Sequence, residues 1–265
     1  MGTITYSVFT KPWKETPLPE LAALVRDMGF DAIEFPLRPG YQIEPEDAER
    51  GLPRLAAAMQ DQGINVASVA GPLTEPVFAG CAAAGISIIR VMFNVGREGY
   101  LEAERRARET LEATLPLCER YGVKVGVQNH CARFVPPNSL GLRALLEGFD
   151  PRHIGAIWDS AHNALEGEEP ELGLEIVWPS LLMINVKNAI RIRKTGPEAE
   201  DVDWKVYWTS GRQGFASWPR IARYVNARGY DGVLCLSAEY SAEHEVERLA
   251  REDVAYLRTL FDRPS

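Results

Sequence analysis

The sequence has no C-x-x-C pair: its four cysteines, Cys81, Cys118, Cys131 and Cys235, stand far apart. That excludes a zinc ribbon and gives no disulfide scaffold, so reduced thiols are expected. A basic cluster is missing too. Lys plus Arg number 29 against 37 Asp plus Glu, a formal charge of -8, which repels a polyanionic backbone, and no nucleic-acid partner is expected. The most apolar stretch, Val77 to Phe93, is broken by glycines, Ser87 and Arg90, so no membrane span is expected. Met1 to Phe9 lacks a basic segment followed by an apolar core, and a cytoplasmic location is the expectation. No low-complexity linker divides residues 1–265, and no G-x-G-x-x-G follows the first strand-like run. The usual signature of a dinucleotide-binding open sheet is therefore absent.

What is present is an ordinary globular composition, 46% apolar and 25% charged, and a recurring phase. An amphipathic stretch ends in a glycine and leads into a short run rich in Val and Ile. Gly29 leads to Asp31-Ala32-Ile33-Glu34, Gly63 to Ile64-Asn65-Val66-Ala67, Gly85 to Ile86-Ser87-Ile88-Ile89, and Gly122 to Val123-Lys124-Val125-Gly126. Each glycine suits the left-handed position after a helix. Arg228-Gly229-Tyr230-Asp231-Gly232-Val233 echoes Met28-Gly29-Phe30-Asp31-Ala32-Ile33, so early and late units are expected to be built alike. Adding Thr3 to Phe9, His153 to Asp159 and Leu181 to Lys187 gives eight strand-helix units. Alternation of this kind implies parallel strands joined by right-handed crossovers. Eight units predict one closed (β/α)8 TIM barrel over 1–265, with its functional groups at the C-terminal strand ends.

Side-chain alternation then selects what faces the mouth. In the fifth strand Gln128 and His130 share the inner face, opposite Val125 and Val127. The sixth puts Gly155, Ile157 and Asp159 inside, with His162 in the loop beyond. The seventh offers Asn185 and Lys187, and the eighth Cys235, Ser237 and Glu239, leaving Leu234, Leu236 and Ala238 for the helices. Each polar group alone has a structural alternative: Asp159 as cap of the sixth helix, Glu239 at a helix start, His130 as a hydrogen-bonded core histidine. Convergence of four strand ends on one mouth favours a site. Glu34 and Arg90 are expected to pair inside the barrel, because a lone buried charge is costly, and Glu34 is also a candidate site carboxylate. The segment Ala189 to Gly214, with Trp204, Tyr207, Trp208, Arg191, Arg193 and Arg212, shows no helical period and is read as a lid loop.

At these residues the chain resembles the xylose isomerase-like barrel superfamily, in its sugar phosphate isomerase/epimerase group. Tyr121-Gly122-Val123-Lys124-Val125-Gly126-Val127-Gln128-Asn129-His130 is similar to the group's apolar strand ending in Glu-Asn-His. Asp159-Ser160-Ala161-His162 is similar to its Asp-x-x-His, Asn185-Val186-Lys187-Asn188 to its His-x-Lys-Asp, and Gly232 to Glu239 to its last strand. The resemblance implies a metal set of Glu, Asp, His and Glu, which here reads Gln128, Asp159, Asn185 and Glu239. Two amides lower the ligand charge, so a Mn2+ or Mg2+ cofactor is expected to bind weakly or not at all. An amide cannot take up a proton near neutral pH. The implied activity is therefore one-base proton abstraction beside a carbonyl: Glu239 accepting, Lys187 or a cation polarising, His130 or His162 donating. His162, Asn185, Arg212 and Glu34 are the substrate-binding candidates for a small sugar-like ligand, and a homo-oligomer stays open. Two rivals remain: a non-catalytic sugar-binding descendant, supported by the amides, and a metal-dependent apurinic endonuclease, opposed by four histidines and negative charge.

Overall fold

The structure is a computed structural model describing residues 3–262. Eight strands, Ile4–Phe9, Ala32–Pro36, Asn65–Ala70, Ile88–Val91, Lys124–Gln128, Ile154–Asp159, Leu181–Val186 and Gly232–Leu236, are numbered here as barrel strands one to eight. All pair in parallel, each with its neighbours in sequence, and strand one pairs with both strand two and strand eight to close the barrel. Helices occupy the crossovers. Among the described residues no helix is long and apolar enough to cross a membrane.

The echo seen in the sequence is structural. Helix Leu18–Met28 ends at Gly29, φ 97°, and helix Trp218–Ala227 is followed by Gly229, φ 64°. Both glycines turn the chain through the left-handed region that costs other residues energy. Three residues later strands two and eight begin, the two partners of strand one.

Alternation sorts the barrel walls as expected. Ile33, Phe35, Val125, Val127, Leu234 and Leu236 join the core under the helices, while Phe9, Ala70, Ile88, Ile157, Met183 and Cys235 pack inside the barrel. Gly126 makes room for that packing: a Cβ there would sit 2.4 Å from Ile157 Cδ1. Above this apolar plug lies a polar layer. Arg90 Nε donates to Glu34 Oε1 at 2.8 Å and Ser68 Oγ to the same oxygen at 3.0 Å, with Glu34 wholly buried.

Three local readings change. Strand eight stops at Leu236, and Ala238 has φ 49°, a left-handed conformation rare for a residue with a Cβ. Glu239 thus reaches the rim through a strained turn, and since the next helical element begins only at Glu243, it does not stand at a helix start. His130 likewise lies beyond its strand, which ends at Gln128. The largest change concerns 189–214. It is mostly a β-hairpin, Asn188–Arg193 against Trp204–Thr209, with Ile190 opposite Tyr207 and Arg191 opposite Val206. A two-residue period was there to be read, but its strands flank a polar ten-residue turn that hides the pairing.

Candidate active site at the barrel mouth

Two polar systems meet at the C-terminal rim. The first is a chain of donors and acceptors across strands two, four, five and six. From Glu34 it passes to Arg90, whose Nη1 hydrogen-bonds Gln128 Oε1; Gln128 Nε2 donates to Asp159 Oδ2 at 2.8 Å. A cation on one side and a carboxylate on the other dictate this amide orientation, since the flipped amide would face like with like. Asp159 Oδ1 accepts from the backbone N–H of Ala161 (3.0 Å) and His162 (3.1 Å), so Asp159 does cap helix Ser160–Leu165. The same residue faces the mouth cavity. Burial raises its pKa to about 6, more than Lys187, the helix N–H groups and Arg90 lower it.

The second system is a clamp on Glu239. Lys187 Nζ donates to Oε2 at 2.7 Å and Lys11 Nζ to Oε1, while the Trp208 ring lies 3.6 Å from Lys187 Nζ. Burial favours a neutral Glu239, but Lys187 and Lys11 outweigh it and hold the pKa down at about 2. The backbone of Lys187 is pinned: its N–H donates to Ser160 Oγ at 3.0 Å, and its carbonyl accepts from that hydroxyl at 2.8 Å. Asn188 anchors the hairpin base, donating to the carbonyls of Gly211 and Ala216 and accepting from the N–H of Ala216.

Both systems face a cavity of about 200 Å³ that includes Lys11, Arg38, Gln128, His130, Asp159, Lys187 and Glu239 in its lining. The rings of His130 and His162 are 3.7 Å apart between centroids, and burial lowers the pKa of both, His130 to about 4. His130 Nδ1 sits 2.9 Å from the Cys131 carbonyl. A proton there leaves Nε2 as the acceptor, so His130 offers the mouth a lone pair and not an acidic proton near neutral pH. Asn185 is buried below the rim, its Oδ1 without a partner among the described residues. Arg212 is not brought to the cavity: its guanidinium lies 3.7 Å from the Tyr256 ring centroid. Arg191 is drawn to the Leu165 carbonyl at 2.8 Å.

Lys11 and Arg38 carry charge at the mouth that strand alternation does not single out. The signal for Lys11 was available, since it follows strand one by two residues at the functional end. Arg38 stands two residues beyond strand two, with its guanidinium 5.6 Å from the Phe9 ring centroid.

The four positions that the resemblance assigns to a divalent cation do not form a hard-metal cage. The Gln128 carbonyl is taken by Arg90, both Glu239 oxygens are taken by ammonium groups, and Asp159 is held by three donors. Only Asn185 Oδ1 lacks a donor among them. A dication would enter beside Lys11, Lys187 and Arg90, against their repulsion.

A closed parallel eight-stranded barrel with acid, base and amide groups converging at its C-terminal mouth defines a TIM barrel, the class whose sites lie at that end. More narrowly, the family model of the xylose isomerase-like TIM barrel matches residues 22–260, and the chain belongs to that family. Its fold is shared with 3-keto-D-glucoside 4-epimerase YcjR from E. coli, at TM-score 0.75 and 14% identity over 97% of this chain and 100% of that one. An L-ribulose 3-epimerase superposes at TM-score 0.75 with 16% identity, covering 98% and 95%. The IolI protein, solved with a bound zinc atom, gives TM-score 0.73 and 14% identity over 98% and 100%. A search of curated proteins finds no match.

Proposed function

We propose that the protein catalyses proton transfer at the carbon beside the carbonyl of a small polyhydroxylated compound, as an isomerase or epimerase acting with one carboxylate base. The observation that carries this reading is the Lys11–Glu239–Lys187 clamp, open to the cavity with the Glu239 side chain 28% exposed. A carboxylate held near pKa 2 is a weak base. A substrate carbonyl oxygen that accepts from Lys187 Nζ changes this twice over: the ammonium polarises the carbonyl, and Glu239 loses one of its two cations and becomes more basic. Glu239 then takes the C–H proton and the enolate oxygen that forms is held by Lys187; return of the proton to the neighbouring carbon, with that carbon's hydroxyl proton passing to the enolate oxygen, isomerises the substrate, and return to the same carbon on its other face, after the enolate turns, epimerises it. The Asp159 side of the cavity faces the substrate hydroxyls. The cations Lys187 and Lys11 thus supply the positive charge that the family's metal position would otherwise provide.

The test is incorporation of solvent deuterium into a ketose panel, followed by NMR. Wild type is expected to exchange the proton beside the carbonyl and Glu239→Gln to lose this by at least about a hundredfold while remaining folded at the assay temperature. Equal exchange by both would remove Glu239 as the base. The low basicity of Glu239 and the amide at 128 favour a second reading, a sugar-binding protein without turnover. Saturable binding of a ketose with no exchange over days would establish it in place of the first.

A further inference from the structure

One group of side chains stands apart from the Glu239 clamp and from the four positions of the family's metal. One ring nitrogen from each of His130 and His162 and the thiol of Cys131 lie within 4.8 Å of one another, with Cys131 and His162 buried and His130 half-buried. We infer that His130, Cys131 and His162 form a binding site for a borderline-soft divalent ion of the Zn2+ or Co2+ type.

The donor chemistry differs from that of the carboxylate and amide positions. Two imidazoles and a thiolate suit zinc and its neighbours, whereas oxygen donors suit Mg2+ and Mn2+. Each imidazole is also oriented from outside. His162 Nδ1 points at Cys131 Sγ at 3.2 Å, and its Nε2 faces the Asp159 carboxylate at 3.9 Å. His130 turns Nδ1 to the Cys131 carbonyl at 2.9 Å. A histidine ligand typically donates its second N–H to a carboxylate or a backbone carbonyl, which fixes the tautomer and leaves the other nitrogen's lone pair for the metal. The partner of His130 is already in place, and that of His162 stands one small ring rotation short of a hydrogen bond. Binding releases the proton of the Cys131 thiol, and one metal–sulfur bond forms in its place.

Backbone geometry points the same way. Ala132, the residue after Cys131, has φ 69°, a strained conformation for a residue with a Cβ and one that clusters at ligand clamps. Tetrahedral zinc places N and S ligands about 3.5 Å apart. Closing the 4.8 Å span to that value asks for a shift of about an ångström, within the reach of the half-buried His130. The fourth position would open to the mouth cavity, which both histidines line.

Titration with Co2+ tests the site, because cobalt bound to thiolate gives a strong near-ultraviolet charge-transfer band that carboxylate and amide ligands do not. The expected result is one Co2+ per chain with that band, displaced by Zn2+. Cys131→Ser abolishes the band, His130→Gln weakens Co2+ binding at least tenfold, and Glu239→Gln, which removes a family-type ligand, retains the band. Binding without the band, a band that survives Cys131→Ser, or no binding at all would overturn the assignment. Should Cys131→Ser fail to fold, the His130→Gln titration decides alone: unchanged affinity refutes the site. None of these outcomes depends on which reaction the mouth performs.

Discussion

On the side of strands two, four, five and six, charge is buried and every member has a partner: Glu34 with Arg90 and Ser68, Arg90 with Gln128, Gln128 with Asp159, Asp159 with two helix N–H groups. Across the mouth, Glu239 is 28% exposed and is held by two ammonium groups, that of Lys11, 41% exposed, and that of Lys187, only 6% exposed. The first arrangement cannot yield a partner to a ligand without leaving a charge stranded in the interior. The second can, because Glu239 keeps Lys11 and part of its access to water when Lys187 turns to a ligand oxygen. Closing the barrel and, in the proposed reaction, receiving the substrate are thus divided between its two halves.

Breaking the buried half should have the largest effect. Arg90→Ala strands Glu34 and frees the Gln128 carbonyl, and the loss of one member of a buried pair costs about 3–5 kcal/mol. Urea unfolding measures it. A cost below about 1 kcal/mol would mean that water replaces Arg90 and that the chain of contacts does not close the barrel.

Breaking the exposed half should separate stability from activity. Lys187→Met removes the ammonium that would polarise the substrate, and deuterium exchange is expected to fall about a hundredfold or more, while stability falls by less than for Arg90→Ala, because Glu239 keeps Lys11 and part of its access to water. Glu239 should then titrate at a higher pH than in wild type, since one of the two cations lowering it is gone. Carbon-13 NMR of the Glu239 carboxyl follows that shift. Unfolding on the scale of Arg90→Ala would place Lys187 in the structural half.

Acidity offers a finer contrast. Asp159 and Asp253 are both raised by burial to about 6, above the value of about 3.9 for an unfolded aspartate. Their protonated forms are favoured in the folded state, so the stability linked to them is fully present below about pH 4. It is lost as pH rises through 6. Glu239 has the opposite sign: lowered to about 2, it adds stability above the unfolded glutamate value of about 4.3 and loses it as pH falls through about 2. The stability curve should therefore slope downward between about pH 4 and 6, and Asp159→Asn should flatten that slope. An unchanged slope in Asp159→Asn would leave Asp253 as its source.

How much of this is legible in the sequence depends on what kind of signal each residue carries. The barrel is, because glycine-terminated helices and apolar runs repeat along the chain, and Gly29 and Gly229 do what their echo implies. The inward set Glu34, Gln128 and Asp159 follows from a period of two. Glu239 does not, strictly: it is reached through the left-handed Ala238, which no period encodes. The hairpin at 188–209 escapes notice because its alternation is interrupted by a long turn, and the direction of the Gln128 amide depends on Arg90 and Asp159 together, which are 69 positions apart in sequence. Contacts of this kind belong to the closed barrel.

The smallest expected effect concerns the amides at the family's metal positions. Restoring Gln128→Glu and Asn185→His together supplies the carboxylate and imidazole that the family places there, and a carboxylate adds charge that favours a hard cation. The gain is limited by what surrounds the position. The new carboxylate would be drawn to Arg90, which already holds the Gln128 side chain, and Lys11 and Lys187 would still occupy Glu239. An increase of about tenfold in Mn2+ affinity, about 1.4 kcal/mol, is the expectation from calorimetric titration, with wild type binding Mn2+ weakly. Mn2+ is the ion to use, because its preference for oxygen separates this site from the imidazole and thiol group of His130, Cys131 and His162. If wild type and the double variant bind Mn2+ equally tightly, the Gln128 carbonyl has left Arg90 for the metal, and the division between a closed half and an open half fails at its centre.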